Sequence, residues 1–91
     1  MKLDNFQIGD RVVVIEYQGP QERRELHIGQ IGTIVTFHEK HNHIIVDHDE
    51  KFHDLLRDID GVCPNKNGWP YLPNELEIIT ASSSTSIEDL I

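Results

Sequence analysis

Residues 29–47 read Gly29-Gln30-Ile31-Gly32-Thr33-Ile34-Val35-Thr36-Phe37-His38-Glu39-Lys40-His41-Asn42-His43-Ile44-Ile45-Val46-Asp47, and this stretch decides the fold. Two runs rich in β-branched residues, Thr33 to His38 and His43 to Asp47, flank the polar turn Glu39 to Asn42. Strand, short turn and strand make an antiparallel hairpin. In the first run Thr33, Val35 and Phe37 share one face by the two-residue period of a strand.

Upstream, Gly9-Asp10 marks a turn, with Phe6 and Ile8 spaced to plug one side of a core. Arg11 to Tyr17 reads as a strand in which Val12 and Val14 face one way and Val13 and Ile15 the other, so burial on both sides is expected. Gln18 to Leu26, opened by Gly19-Pro20, reads as a polar loop with Glu22-Arg23-Arg24-Glu25 in solvent. Downstream the period changes. Phe52, Leu55, Leu56 and Ile59 fall at i, i+3, i+4 and i+7, the stripe of a short amphipathic helix over about 50–60. Asp47 or Asp49 would cap its start, and Gly61 sits where a terminating glycine belongs. A loop over 62–68 leads to a short strand at Trp69 to Leu72, a turn at Pro73-Asn74-Glu75 and a closing strand at Leu76 to Ile79. Thr80 to Ser86 is low in complexity and Ile87-Glu88-Asp89-Leu90-Ile91 ends the chain, so residues 80–91 read as a flexible Ser/Thr-rich acidic tail.

Five short strands favour closure into a small barrel, because closure removes exposed edges. Ile8-Gly9-Asp10-Arg11-Val12-Val13-Val14, followed by Gly29-Gln30-Ile31-Gly32-Thr33-Ile34-Val35, resembles the opening of SH3-like barrels, including the KOW group. Val46-Asp47, His53-Asp54, Cys63, Gly68-Trp69, Leu72-Pro73 and Leu76-Glu77-Ile78-Ile79 resemble a narrower set of small SH3-like proteins of bacteria and bacteriophages. The resemblance covers about residues 6–79. One departure is Leu55-Leu56-Arg57-Asp58-Ile59, where similar proteins carry a glycine-rich loop. The expected fold is mainly β: a five-stranded SH3-like barrel domain over 1–79 with one inserted helix, then the tail.

Composition narrows the function classes. Ninety-one residues leave room for one domain. The net charge is −8, and hydrophobic residues make up 37%, enough for one modest core. Residues 46–91 carry ten acidic against three basic residues, whereas 1–45 carry six against five. Such a balance opposes direct binding of nucleic acid over a broad surface, which needs clustered Lys and Arg. The longest aliphatic run, Val12 to Ile15, is far short of the ~20 apolar residues that span a bilayer. No secretory signal pattern opens the chain, so a cytoplasmic protein is expected. The lone cysteine, Cys63, forms no internal disulfide and supplies no zinc finger by itself.

Four constellations carry chemistry. First, Asp47, Asp49, Glu50, Asp54, Asp58 and Asp60 crowd one stretch, and on a helix most would form an outward acidic ridge. Such a ridge can dock on a basic protein surface, imitating nucleic acid phosphates. The alternative is an ordinary solvated face. Second, Trp69 and Tyr71, with Pro70 and Pro73, suit a surface that reads peptides, or else Trp69 fills the barrel mouth. Third, His41 and His43, with His48, are weak candidates for a metal. No Cys-x-x-Cys or helical His pair accompanies them, so no cofactor is expected. The six histidines would also take the charge from −8 toward about −2 in mild acid. Fourth, Cys63, His53 and Asp54 could form a nucleophile, base and orienter, but no helix N-terminus follows Cys63 to lower its pKa. Loop packing is the expected role of Cys63 and His53, and no catalytic residue is expected.

These readings converge on a non-enzymatic protein-binding module. The resemblance implies a phage-type inhibitor or modulator of a host nucleic-acid-handling or defence protein, acting in the host cytoplasm. A second reading is a KOW-like module for RNA, the ribosome or RNA polymerase through Arg11, Arg23, Arg24 and Lys40. A third is a His/Asp metal-binding protein.

Overall fold

The computed structural model describes residues 6–79; the expected tail at 80–91 lies outside the described residues. The chain is mainly β. Strand β1 (Arg11–Val14) is followed by helix α1 (Gln21–His27), then β2 (Ile31–His38), a 3-10 turn (Glu39–His41) and β3 (His43–His48). After a long connection come β4 (Gly68–Tyr71), a second 3-10 turn (Pro73–Glu75) and β5 (Leu76–Ile78). All five strands lie in one antiparallel sheet of order β4-β3-β2-β1-β5. The hairpin of β2 and β3 is its centre, and Asn42 closes that turn in the left-handed region at φ 58°. The expected closure is not found: β4 and β5 are the two edges, and among the described residues no ladder joins them.

One face of the sheet carries the core. Val12, Val14, Ile34, Ile44, Val46, Tyr71 and Leu76 are buried together, with Phe6, Tyr17, Phe37, Trp69 and Ile78 packed against them. The alternation in β1 is therefore one-sided. Val12 and Val14 are 1% exposed, but Ile15 is 48% exposed, so the expected burial on both faces does not hold. The expected common face of Thr33, Val35 and Phe37 is also broken. A register shift between Ile34 and Thr36 inserts an extra residue, so Thr33 pairs with Asp47 but Phe37 pairs with core residue Ile44. A bulge of this kind moves every later side chain to the other face.

Two further expectations are corrected. The polar loop over 18–26 contains α1, which starts behind Pro20, whose carbonyl accepts from the amides of Arg23 and Arg24. Pro20 followed by Gln, Glu, Arg and Leu is a helix start composed of good helix formers. The helix expected over 50–60 does not form. Asp60 and Gly61 hold positive φ, and Arg57 bridges to Gly68 in the sheet direction. The apolar stripe is divided instead. Phe52 packs on the core side against the rings of His27 and His48, whereas Ile59 lies over Gly68, which pairs with Asp47 on the opposite face. Helical periodicity needs one apolar surface to pack on, and here the two halves of the stripe serve different sides of the sheet.

Glycine is required where backbones approach closely. A Cβ on Gly32 would lie 2.5 Å from Val46 Cγ1 and 2.8 Å from the Asp47 carbonyl. Gly32→Ala should lower stability by about 1–3 kcal/mol, because the overpacked atoms include backbone that cannot yield. Urea denaturation of the two chains checks this.

Candidate functional site

The acidic stretch is put to several uses. Asp47 is 2% exposed, and its carboxylate accepts the amides of Asn65 (2.8 Å) and Asn67 (2.9 Å), pinning the end of the β3–β4 connection. Asn67 and Asn65 in turn donate their side-chain amides to the His48 carbonyl. Asp49 receives a two-pronged bond from Arg11, at 2.7 and 2.5 Å, which holds its carboxyl below the usual range. Asp60 pairs with His38 at 2.5 Å. Asp58 is exposed but accepts the Cys63 amide at 3.0 Å. Glu50 and Asp54 are exposed, and neither takes part in an ion pair or side-chain hydrogen bond among the described residues. Of the six carboxylates, only Glu50, Asp54 and Asp58 therefore face solvent without a side-chain partner among the described residues.

The other candidates are placed as plainly. Cys63 is 4% exposed and exchanges weak hydrogen bonds with the backbone of Ile59, and burial pushes its thiol pKa up. His53 is engaged elsewhere, so the arrangement of Cys63 with His53 is not assembled. His41 and His43 stand 6.0 Å apart at the hairpin end, whereas His48 is buried at the far end of β3. Among the described residues no three His, Cys, Asp or Glu side chains converge as a metal ion requires. Trp69 is half-buried, and Tyr71 is fully buried and not part of a surface.

Tyr71 instead leads to a group that no sequence motif announced. It lies opposite Ile44, and its hydroxyl sits 2.7 Å from His27 Nδ1 and 2.7 Å from His48 Nε2. His27 Nε2 lies 3.0 Å from His53 Nε2, and His53 Nδ1 accepts the Leu55 amide at 3.1 Å. Around this chain Tyr17 stacks on His27 at 4.1 Å, with Trp69 and Phe52 each 4.9 Å away. His27, at the end of α1, thus plugs an aromatic box contributed by three other segments.

The chain of hydrogen bonds has one direction. The Leu55 amide can only donate, so His53 carries its hydrogen on Nε2 and gives it to His27 Nε2. His27 then donates from Nδ1 to the Tyr71 oxygen, and the Tyr71 hydroxyl donates to His48 Nε2. Neutral His48 is left with its hydrogen on Nδ1, a buried atom with no hydrogen-bond partner among the described residues. The Ile31 carbonyl, which accepts the Asp49 amide, favours a proton on this ring without making a hydrogen bond to Nδ1. Burial holds His27 and His48 neutral, each with its pKa pushed down to about 4, and burial lowers that of His53 as well. The Tyr71 phenol is raised far above its ordinary value, again by burial. Three of the six histidines consequently resist protonation in mild acid, and the expected change from −8 to about −2 is not reached by this fold.

No family model, curated protein or solved structure matches this chain.

Removing the phenol oxygen in Tyr71→Phe leaves His27 Nδ1–H unpaired inside the protein. The expected loss is about 1–3 kcal/mol, read by urea denaturation. The linkage with pH is also fixed in sign. His27 and His48 bind protons more weakly folded than unfolded, so their contribution is complete above pH 6.5 and is lost as pH falls toward 4. The first proton costs on the order of 3 kcal/mol. Urea midpoints measured from pH 7.5 to 4 should decline across that window, and a flat profile contradicts the assignment.

Proposed function

We propose that this chain is a non-enzymatic protein-binding module of SH3-like type, docking through the acidic β3–β4 connection on a basic surface of its partner. The SH3-like reading is supported by the strand order β4-β3-β2-β1-β5 together with the Gly9-Asp10-Arg11-Val12 and Gly29-Gln30-Ile31-Gly32 openings of the first two strands. The binding reading rests on the exposed edge of the connection. Glu50, Asp54 and Asp58 face solvent there, beside Leu55 at 46% and Val62 at 40% exposure.

That combination suits recognition. The connection is anchored from below by the buried residues Asp47, Asn67, Leu56 and Cys63, so little ordering entropy remains to oppose binding. Exposed apolar side chains supply contact area, while carboxylates steer a basic partner and make association salt-sensitive. A nucleic-acid-handling or defence protein of a host cell is the partner class that best fits, since its phosphate-binding groove is basic. Such a partner places the module in the cytoplasm. No helix among the described residues is long and apolar enough to cross a membrane. The RNA-binding reading draws less support. Of its four cations, Arg11 is bonded to Asp49 and Arg24 to Glu16.

The test is capture from native lysate on the immobilised chain. A partner should be retained at about 50 mM salt and released well before ~0.5 M, where the screening length falls to a few ångström. The double variant Glu50→Arg and Asp54→Arg should lose capture with an unchanged far-ultraviolet circular dichroism spectrum. Capture that survives both changes removes the acidic surface from recognition, and retention of RNA alone replaces the partner class.

A further inference from the structure

A file of donors all pointing one way has no place for an added proton. An imidazolium donates from both ring nitrogens. On His53 the new hydrogen would meet the Leu55 amide, and on His27 it would meet the His53 Nε2–H. On His48 it would leave the Tyr71 hydroxyl hydrogen with no acceptor, because His27 already donates to that oxygen. Each site of protonation therefore sets donor against donor, or strands one, inside the protein.

We propose that the His53–His27–Tyr71–His48 chain is an acid-sensitive latch, whose protonation frees α1 and the 50–56 segment from the sheet while the five strands stay paired. The latch joins four parts of the molecule: α1 through His27, β3 through His48, the β3–β4 connection through His53, and β4 through Tyr71. The charged groups facing it work in both directions. Arg23 on α1 opposes a proton on His27 and His53. Asp54 favours one on His53, and Asp47 and Asp49 favour one on His48. Glu75 and Tyr17 stand near the Tyr71 phenol and hold it protonated. His48 also keeps the one nitrogen of the group with no partner among the described residues, so the chain is under-satisfied at one end before any proton arrives. An unpaired buried donor is already unfavourable.

The opening is local because the two layers differ in kind. His27 is the one buried residue of α1, so the helix has little else to hold it down. The 50–56 segment leans on the same box through Phe52 and His53, although Leu56 is also buried. Beneath them, Val12, Val14, Ile34, Ile44, Val46 and Leu76 form an aliphatic core that does not titrate. Segments with few buried contacts open at lower free energy than the strands they cover. Release of His27 would uncover ring faces of Tyr17 and Trp69.

Amide hydrogen exchange on the full chain between pH 7 and 4, corrected for the intrinsic pH dependence of exchange, tests the latch. Protection over residues 21–29 and 50–56 should fall at least tenfold, with protection of Val12–Val14, Ile34 and Ile44–Val46 held within threefold. Unchanged protection at pH 4 overturns the proposal, and so does simultaneous loss across all strands. In His27→Phe a ring still fills the box but cannot take up a proton, so the loss over 21–29 should shrink below threefold. The same tenfold loss in that variant overturns the latch. Should the variant not fold, the wild-type exchange pattern decides by itself.

Discussion

The hydroxyl of Tyr71, held between two buried imidazoles, is the contact on which the arrangement of this molecule depends. Three of the strands are short: four residues in β1 and β4, three in β5. Two connections, over 15–30 and 49–67, carry a large share of the chain and have no ladder of their own. They are placed by what they plug into. His27 holds the first and His53 the near half of the second, whose far end Asp47 pins, and both histidines are ordered by a phenol that the pairing of β4 with β3 positions. A buried polar network is favourable only when its members are satisfied, since the low dielectric that strengthens each bond also penalises each missing one. Here the chain is complete from the Leu55 amide to His48 Nε2 and incomplete at His48 Nδ1.

Buried carboxylates do a related job. Asp47 accepts the amides of Asn65 and Asn67, and Glu75, 4% exposed, accepts those of Gln18 and Leu72. Backbone amides in irregular segments need acceptors as much as those in strands do. With few ladder positions available, side-chain oxygens supply them. Part of the net charge of −8 is thus structural, and the surface field is set by the carboxylates left over. Asp49 is paired with Arg11 and Asp60 is hydrogen-bonded to His38, which leaves Glu50, Asp54 and Asp58 as the carboxylates of this stretch that face solvent with no side-chain partner among the described residues.

Much of the strand layout was legible in the residues. The hairpin of β2 and β3, the turn at 39–42 and the positions of β1, β4 and β5 follow from alternation and turn residues, which act over a few positions. The 50–60 helix was not, although its apolar spacing was regular. Period alone does not say whether four apolar side chains meet one surface or two, and Phe52 and Ile59 serve opposite sides. α1 had a readable signal in Pro20 and the residues behind it, masked by its high polarity. Asp47 and Tyr71 looked like surface candidates because their residue types are at home there. Their burial follows from pairings with Gly68 and Ile44 that the connection's path had to allow.

By itself the amino-acid sequence determined a small, acidic, mainly β chain, because strand period, turn chemistry and net charge are properties of neighbours or of simple sums. The tertiary structure alone decided that His27, His48, His53 and Tyr71 meet. His27 and Tyr71 are separated by 44 positions, and a hydrogen bond over that distance exists only once register, bulge and loop path have been fixed together. Which nitrogen carries each hydrogen was decided later still, by the Leu55 amide at the end of the line.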